Sequence, residues 1–284
     1  MLRSPARILL RSALLASLAL TVAACAPGQP DDVVVGGMHD ISRAARGVRW
    51  ETDDTIRLET SGVVSIDLDS FAGSVLVKAN KHLSETLVTV ERASRHGFPR
   101  YGEAGRALDL IDYTVSLERG ESGEEIVVVR TNSSGTETVL GRANVRIETP
   151  ELGAVRVRTS RGDVQIIENR GAIDVVTSHG NVSVATPWPM RDSVSIMNRE
   201  GDVEYRIRGE STGEFDLETI GGTVSARCRY GRWMGADPNN RANRTRAVLN
   251  GGDNPVVIRT TEGDISVAVV SDPVGSAEFQ AHNR

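Results

Sequence analysis

The chain has 284 residues, 33 of them basic and 38 acidic, for a net charge of −5. That length allows one large domain or two modest ones, and the acidic balance argues against nucleic acid as a partner. Two cysteines, Cys25 and Cys228, are too few for a disulfide framework, so packing must hold the fold together.

The first element is a leader over residues 1–24. Arg3, Arg7 and Arg11 precede an apolar run of thirteen residues, Ser12 to Ala24. A membrane-spanning helix takes about 20 apolar residues, so this run reads as a secretory signal peptide. Val22-Ala23-Ala24-Cys25 resembles the bacterial lipobox. The resemblance implies cleavage before Cys25, a thioether-linked diacylglyceryl group on its sulfur, and a membrane anchor through that lipid. Each buried CH₂ of such chains contributes about 0.8 kcal/mol. The alternative is a plain signal peptide with a chance cysteine. Ala26 follows the cysteine where an inner-membrane retention signal has Asp, so the sorting pattern implies the outer membrane of a Gram-negative envelope. Without the leader's three arginines, 30 basic residues face 38 acids, a net charge of −8. A lipidated Cys25 leaves Cys228 no disulfide partner. Residues 25–47 are polar and glycine-rich and read as a flexible tether, with a reach of about 25 Å.

Residues 48–143 predict an irregular N-terminal β cap. VSIDLDSFAGSVLV, Val64 to Val77, is one good strand–turn–strand unit, and Leu87 to Ala93 is a further strand. RHGFPRYGEAGRALDL, Arg95 to Leu110, is a loop with a short helical turn. Tyr113 to Arg130 reads as a hairpin around a glycine-rich polar turn.

Residues 144–272 repeat one phrase: TSRGDVQI (Thr159–Ile166), TSHGNVSV (Thr177–Val184) and TTEGDISV (Thr260–Val267). Aligned on Gly73, Gly162, Gly180, Gly201, Gly222 and Gly263, the positions seven and five before the glycine and two and four after it are all apolar or aromatic. Val157, Val175, Ile196 and Leu217 form one such column. Polar residues fill the positions between. Period-two alternation on both sides of a turn marks strands with one buried face, and the glycine supplies a turn conformation that other residues resist. From Gly162 to Gly222 the glycines are 18, 21 and 21 residues apart. A fixed period of that size points to an all-β fold, a β-solenoid of single-stranded β-helix type, in which each coil covers the apolar side of the next. A sandwich of hairpins is the alternative. Thr159, Thr177 and Thr260 stand three before the glycine, and Asp163, Asn181, Asp202 and Asp264 one after it. These read as backbone-binding ladders, with a row of carboxylates for a cation or sugar as the alternative. Residues 273–284 are a tail.

The run VRIETPELGAVRVRTSRGDVQI, Val145 to Ile166, resembles the core of the bacterial DUF4097 β-strand-repeat family, also labelled adhesin-like. Pro150 closes the first strand, and Thr159, Ser160, Gly162 and Asp163 carry the repeat signature. The close, VVIRTTEGDISV, Val256 to Val267, matches as well. The resemblance extends over about Val63 to Val270. It implies a β-helix-like fold at the bacterial envelope and no established catalytic residues.

One stretch breaks the rhythm. Gly222 to Gly263 spans 41 residues, about two periods, with one unit badly written. Within its part from Arg227 to Gly252, Arg227, Arg229, Arg232, Arg241, Arg244 and Arg246 stand with Tyr230, Trp233 and a single acid, Asp237. Arginine suits bidentate contacts to phosphate or carboxylate, and aromatic faces stack on sugars or cations. The loop is therefore a candidate site for a glycan or an envelope protein, against the plainer reading of a solvated rim with Trp233 packed on the edge. Trp188 reads as a corner plug, with a ligand platform as the alternative, and Cys228 as a partly buried small residue. No HExxH, GxSxG or P-loop pattern occurs, and the five histidines lack ligand spacing. No cofactor or metal is expected. The sequence thus suggests a non-enzymatic, lipid-anchored envelope protein with a scaffold or adhesin-like surface. A β-helix carbohydrate-active enzyme, with carboxyls converging in a cleft, is the rival.

Overall fold

Alternating β-branched and polar residues become strands whose apolar sides all turn toward one core. The computed structural model describes residues 48–52, 55–95, 101–135 and 140–275. They belong to one compact unit, Asp40–Arg284; the leader, Cys25 and the tether lie outside the described residues. In chain order the strands begin with β1 (Val48–Thr52), β2 (Ile56–Leu58), β3 (Val63–Ser70), β4 (Val75–Ala79) and β5 (Thr86–Arg95). Helix α1 (Tyr101–Leu108) follows, where the sequence suggested a helical turn. Next come β6 (Ile111–Arg119), β7 (Glu125–Ser133), β8 (Gly141–Thr149), β9 (Glu151–Arg161), β10 (Val164–Ile167), β11 (Ile173–His179) and β12 (Val182–Ala185). The series ends with β13 (Val194–Glu200), β14 (Val203–Arg208), β15 (Gly213–Thr219), β16 (Val224–Cys228), β17 (Trp233–Met234), β18 (Arg244–Leu249), β19 (Pro255–Thr260) and β20 (Ile265–Val270).

These strands form two ten-stranded sheets. The first runs β1-β5-β8-β4-β10-β12-β14-β20-β16, with β2 also on β5. The second runs β17-β18-β15-β19-β13-β11-β9-β3-β7-β6. Each turn glycine carries the chain from the second sheet to the first. The strands flanking it are therefore not hairpin partners, and one rung contributes one strand to each sheet. Rungs stack in parallel register: Val157 is opposite Val175, and Val175 opposite Ile196. The inward residues of both sheets share one core. Every apolar position aligned on the turn glycines is buried except Val224 and Ala226 on β16.

The glycines are required twice over. At Gly73, Gly162, Gly180, Gly201 and Gly263 φ lies between +123° and +132°, where a side chain is strained. A Cβ on Gly180 would also collide with the carbonyl of Gly162, and one on Gly201 with that of Gly180.

Stack order departs from chain order at both ends. Ile196 faces Ile258, and Ile258 in turn faces Leu217. The last rung, β19–β20, is thus inserted between β13–β14 and β15–β16. At the opposite end β3–β4 lies between β7–β8 and β9–β10. The 41 residues after Gly222 are therefore not a faulty rung. They finish the stack, with β18 antiparallel on β15 and β17 antiparallel on β18, and then deliver a late rung to the interior. Val256, Ile258, Ile265 and Val267 are β-branched and buried on both neighbours' account, which suits an interior position. β15 carries Phe215, which takes a lid: Trp233 meets it edge-on at 5.0 Å and 85°.

Antiparallel strands close the other end. β6 pairs with β7 as the expected hairpin, and β5 pairs with β8, β1 and β2.

Candidate functional site

The rim formed by the glycine turns is where a carboxylate row would do chemistry. The geometry assigns it a structural task. Asp163 Oδ1 accepts the N–H of Asn181 at 2.8 Å, Asn181 Oδ1 that of Asp202 at 2.9 Å, and Asp202 Oδ1 that of Asp264 at 2.8 Å. Asp264 Oδ1 then accepts the N–H of Thr223 at 2.7 Å and its hydroxyl at 2.9 Å. Each side chain thus satisfies a turn amide one rung along. The Thr223 N–H holds the Asp264 carboxyl below the usual carboxylate range, so it is an ionised acceptor. Carboxyls strung along an edge in this way do not converge in a cleft. The buried column three residues before the glycines does the matching work on carbonyls. Thr219 Oγ1 donates to Gly263 O at 2.8 Å, and Asn198 Nδ2 to Gly180 O and Gly201 O at 3.0 Å.

The basic-aromatic segment is spread over the terminal rung, and its residues fall into three places. Arg241, Arg244 and Arg246 belong to the edge of the second sheet. Arg246 pairs with Asp216 through two hydrogen bonds of 3.1 Å, and Arg259 grips the same carboxylate at 2.6 and 3.2 Å. Partial burial would raise the Asp216 pKa, but the hydrogen bonds from Arg259 and Arg246 outweigh it and hold the carboxyl at about 2. Arg246 is therefore committed to the fold. Arg227 lies on the outer face of β16, level with Ala268. Arg229, Tyr230 and Arg232 occupy the opposite corner. Trp233 is half-buried against Phe215, the packing that the plainer reading anticipated. Asp237, the segment's only acid, accepts the N–H of Asn239 at 2.8 Å. Arg227, Arg229, Arg232, Arg241 and Arg244 stand without an ion pair among the described residues, and all but Arg244 are exposed.

Asn250 is a site residue that the sequence reading missed. Its φ is 50°, and its Nδ2 donates to Gly209 O and Ser211 O at 2.8 Å. Its Oδ1 accepts the Arg232 N–H at 2.9 Å, which ties the Arg229–Arg232 turn to the 209–211 loop. The Asn-Gly-Gly run after a strand was the available signal. Trp188 is a correction of the opposite kind. It is no buried plug: it is 40% exposed, with the Arg170 guanidinium 3.9 Å above its ring. Cys228 is half-buried, as expected, and burial pushes its thiol up rather than activating it. No helix among the described residues is long and apolar enough to cross a membrane.

The stacked rungs and their glycine–Asx turns are the features by which the chain can be placed. The Toastrack DUF4097 family model matches residues 122–268. The chain belongs to the Toastrack DUF4097 family. The match takes in the rungs from β7 to β20, including the late interior one. Among solved structures, a "putative cell adhesion protein" from Clostridium sporogenes ATCC 15579 is 10% identical. It covers 78% of this chain and 100% of its own, with a TM-score of 0.54, and so shares the fold. A "putative adhesin" from Bacteroides fragilis NCTC 9343 is 9% identical over 78% of this chain and 97% of its own. Its TM-score is 0.26. No curated protein matches.

Proposed function

We propose that this Toastrack protein is a non-enzymatic, lipid-anchored component of the bacterial envelope. In this reading the stack is a β-solenoid with interleaved ends, a rigid scaffold that displays its terminal rung to a ligand. The observation that carries the reading is the Asx ladder: the carboxylates of the repeated turn row, Asp163, Asp202 and Asp264, are engaged rung by rung as acceptors for turn amides and do not converge in a cleft. The unpaired arginines and Tyr230 of the terminal rung supply the binding chemistry, toward an anionic glycan or an envelope protein. The adhesion named for the Clostridium sporogenes protein is a role such a surface would serve. Cys25 is the proposed anchor and the outer membrane the proposed destination.

Two measurements test this. Cys25→Ser should move the protein from the membrane fraction to the soluble fraction; retention in the membrane fraction refutes the anchor. Detergent-solubilised full-length protein should retain envelope material in a pull-down, and Arg229→Ala/Tyr230→Ala/Arg232→Ala should lose it. Trp233 is left intact because its loss would uncover Phe215 and confuse folding with binding. Unchanged capture by the triple variant removes the terminal rung from the proposal.

A further inference from the structure

The two sheets end differently at the terminal rung. The second is closed by β18 and β17, whereas the first stops at the five-residue strand β16, which pairs with β20 alone. Parallel pairing points alternate residues of β16 toward β20. Thr223 O accepts from Ile265 N, and Arg229 N donates to Val269 O, so Ser225 and Arg227 also face β20. The main-chain groups of Val224, Ala226 and Cys228 face away. The Val224 N–H reaches Ala242 O at 2.7 Å. Ala226 and Cys228 have no strand on that side among the described residues. Their side chains, with that of Val224, turn toward the core and are only half-buried; the positions equivalent to Val224 and Ala226 in the other aligned rungs are buried. Large exposed apolar side chains gather in the same rung: Ile220 is 75% exposed, Tyr230 53% and Met234 37%.

An open edge beside an unfinished core is a template for one more strand, and the charges around it say which kind. Side chains of an added strand would alternate. Those turned inward would meet Val224, Ala226 and Cys228, and those turned outward would lie beside Ser225 and Arg227, with Arg229 and Arg241 near the two ends. Apolar residues inside and acids outside satisfy both faces. We propose that β16 accepts an extended segment of a partner protein, alternating apolar and acidic residues, as an added strand of the first sheet. This rests on the terminal rung being the binding surface, and it names the partner's chemistry.

The probe is a fluorescein-labelled peptide alternating valine and glutamate, titrated into solubilised full-length protein. Binding should slow hydrogen exchange at the amides of Ala226 and Cys228. Ala226→Pro, which removes an outward N–H and leaves the β20 ladder untouched, and Arg227→Glu should each weaken binding by about tenfold. A valine–lysine peptide, and a valine–glutamate peptide N-methylated on alternate amides, should not bind. Because these two peptides are tested on the unaltered protein, a folding defect in the proline variant does not decide the matter. No binding, equal binding of the lysine peptide, or unchanged exchange at Ala226 and Cys228 overturns the inference. So does self-association that Ala226→Pro abolishes, which would place a second copy on the edge. If the envelope pull-down depends on Arg229, Tyr230 and Arg232 but the peptide fails to bind, the binding-surface reading survives and this inference does not.

Discussion

At the scale of single residues, the turns are built by three side-chain roles in a row. A buried hydroxyl or amide binds turn carbonyls, a glycine takes the positive φ, and an Asx residue accepts the next rung's amide. The Asx role needs an acceptor oxygen and no charge, since Asn181 fills it between Asp163 and Asp202. Asp202→Asn should therefore leave stability nearly unchanged, while Asp202→Ala should cost about 1 kcal/mol, the net worth of one hydrogen bond. Urea midpoints of the two variants check this.

At the scale of elements, Asp216 joins three strands. It lies on β15 and is held by Arg246 from β18 and Arg259 from β19. Its folded pKa of about 2 is below the ordinary 3.8. The stability it contributes is thus fully present above the ordinary value and is lost as pH falls through the folded one. Between pH about 4 and about 2 the wild type should lose stability that Asp216→Asn does not, measured as the slope of urea midpoint against pH. The inserted rung is a second element-scale dependence. Removing β19–β20 would withdraw the burial of Val256, Ile258, Ile265 and Val267, on the order of 8 kcal/mol at about 2 kcal/mol each. That approaches the whole stability of a typical domain. A chain ending at Gly252 should fail to show a cooperative transition by circular dichroism, whereas one ending at Gly275 should unfold cooperatively.

At the scale of the whole stack, interleaving changes how the repeats depend on one another. In a plain one-dimensional array the terminal repeats touch a single neighbour and fray first. Here the rung at the end of the stack, β15–β16, is tied in sequence to β14 on one side and, through β18, to β19 on the other. The first connection skips the rung that lies between in the stack, and the second leads back to that rung. Unfolding should accordingly be one transition. The urea curve from Trp233 fluorescence, in a Trp50→Phe/Trp188→Phe background, should coincide with that from far-ultraviolet circular dichroism. A Trp233 transition at lower urea would show that the terminal rung melts independently.

The sequence by itself determined what is local. Period-two alternation fixed which residues face inward, the glycine column fixed the turns, and the hairpin from Tyr113 to Arg130 was legible from its polar turn. It also contained the family signature, because that signature is a turn chemistry repeated at short range. It did not reveal that Ile258, rather than Leu217, stacks on Ile196, since all rungs present nearly the same valine-rich face and are interchangeable by pattern. Only the tertiary structure broke that degeneracy, through contacts between distant residues: Phe215 under Trp233, and Asp216 between Arg246 and Arg259. The same contacts divided six arginines that look like one cluster in the sequence into a structural clamp at Arg246, a charge on the open strand at Arg227, and others at the edge of the second sheet and the opposite corner.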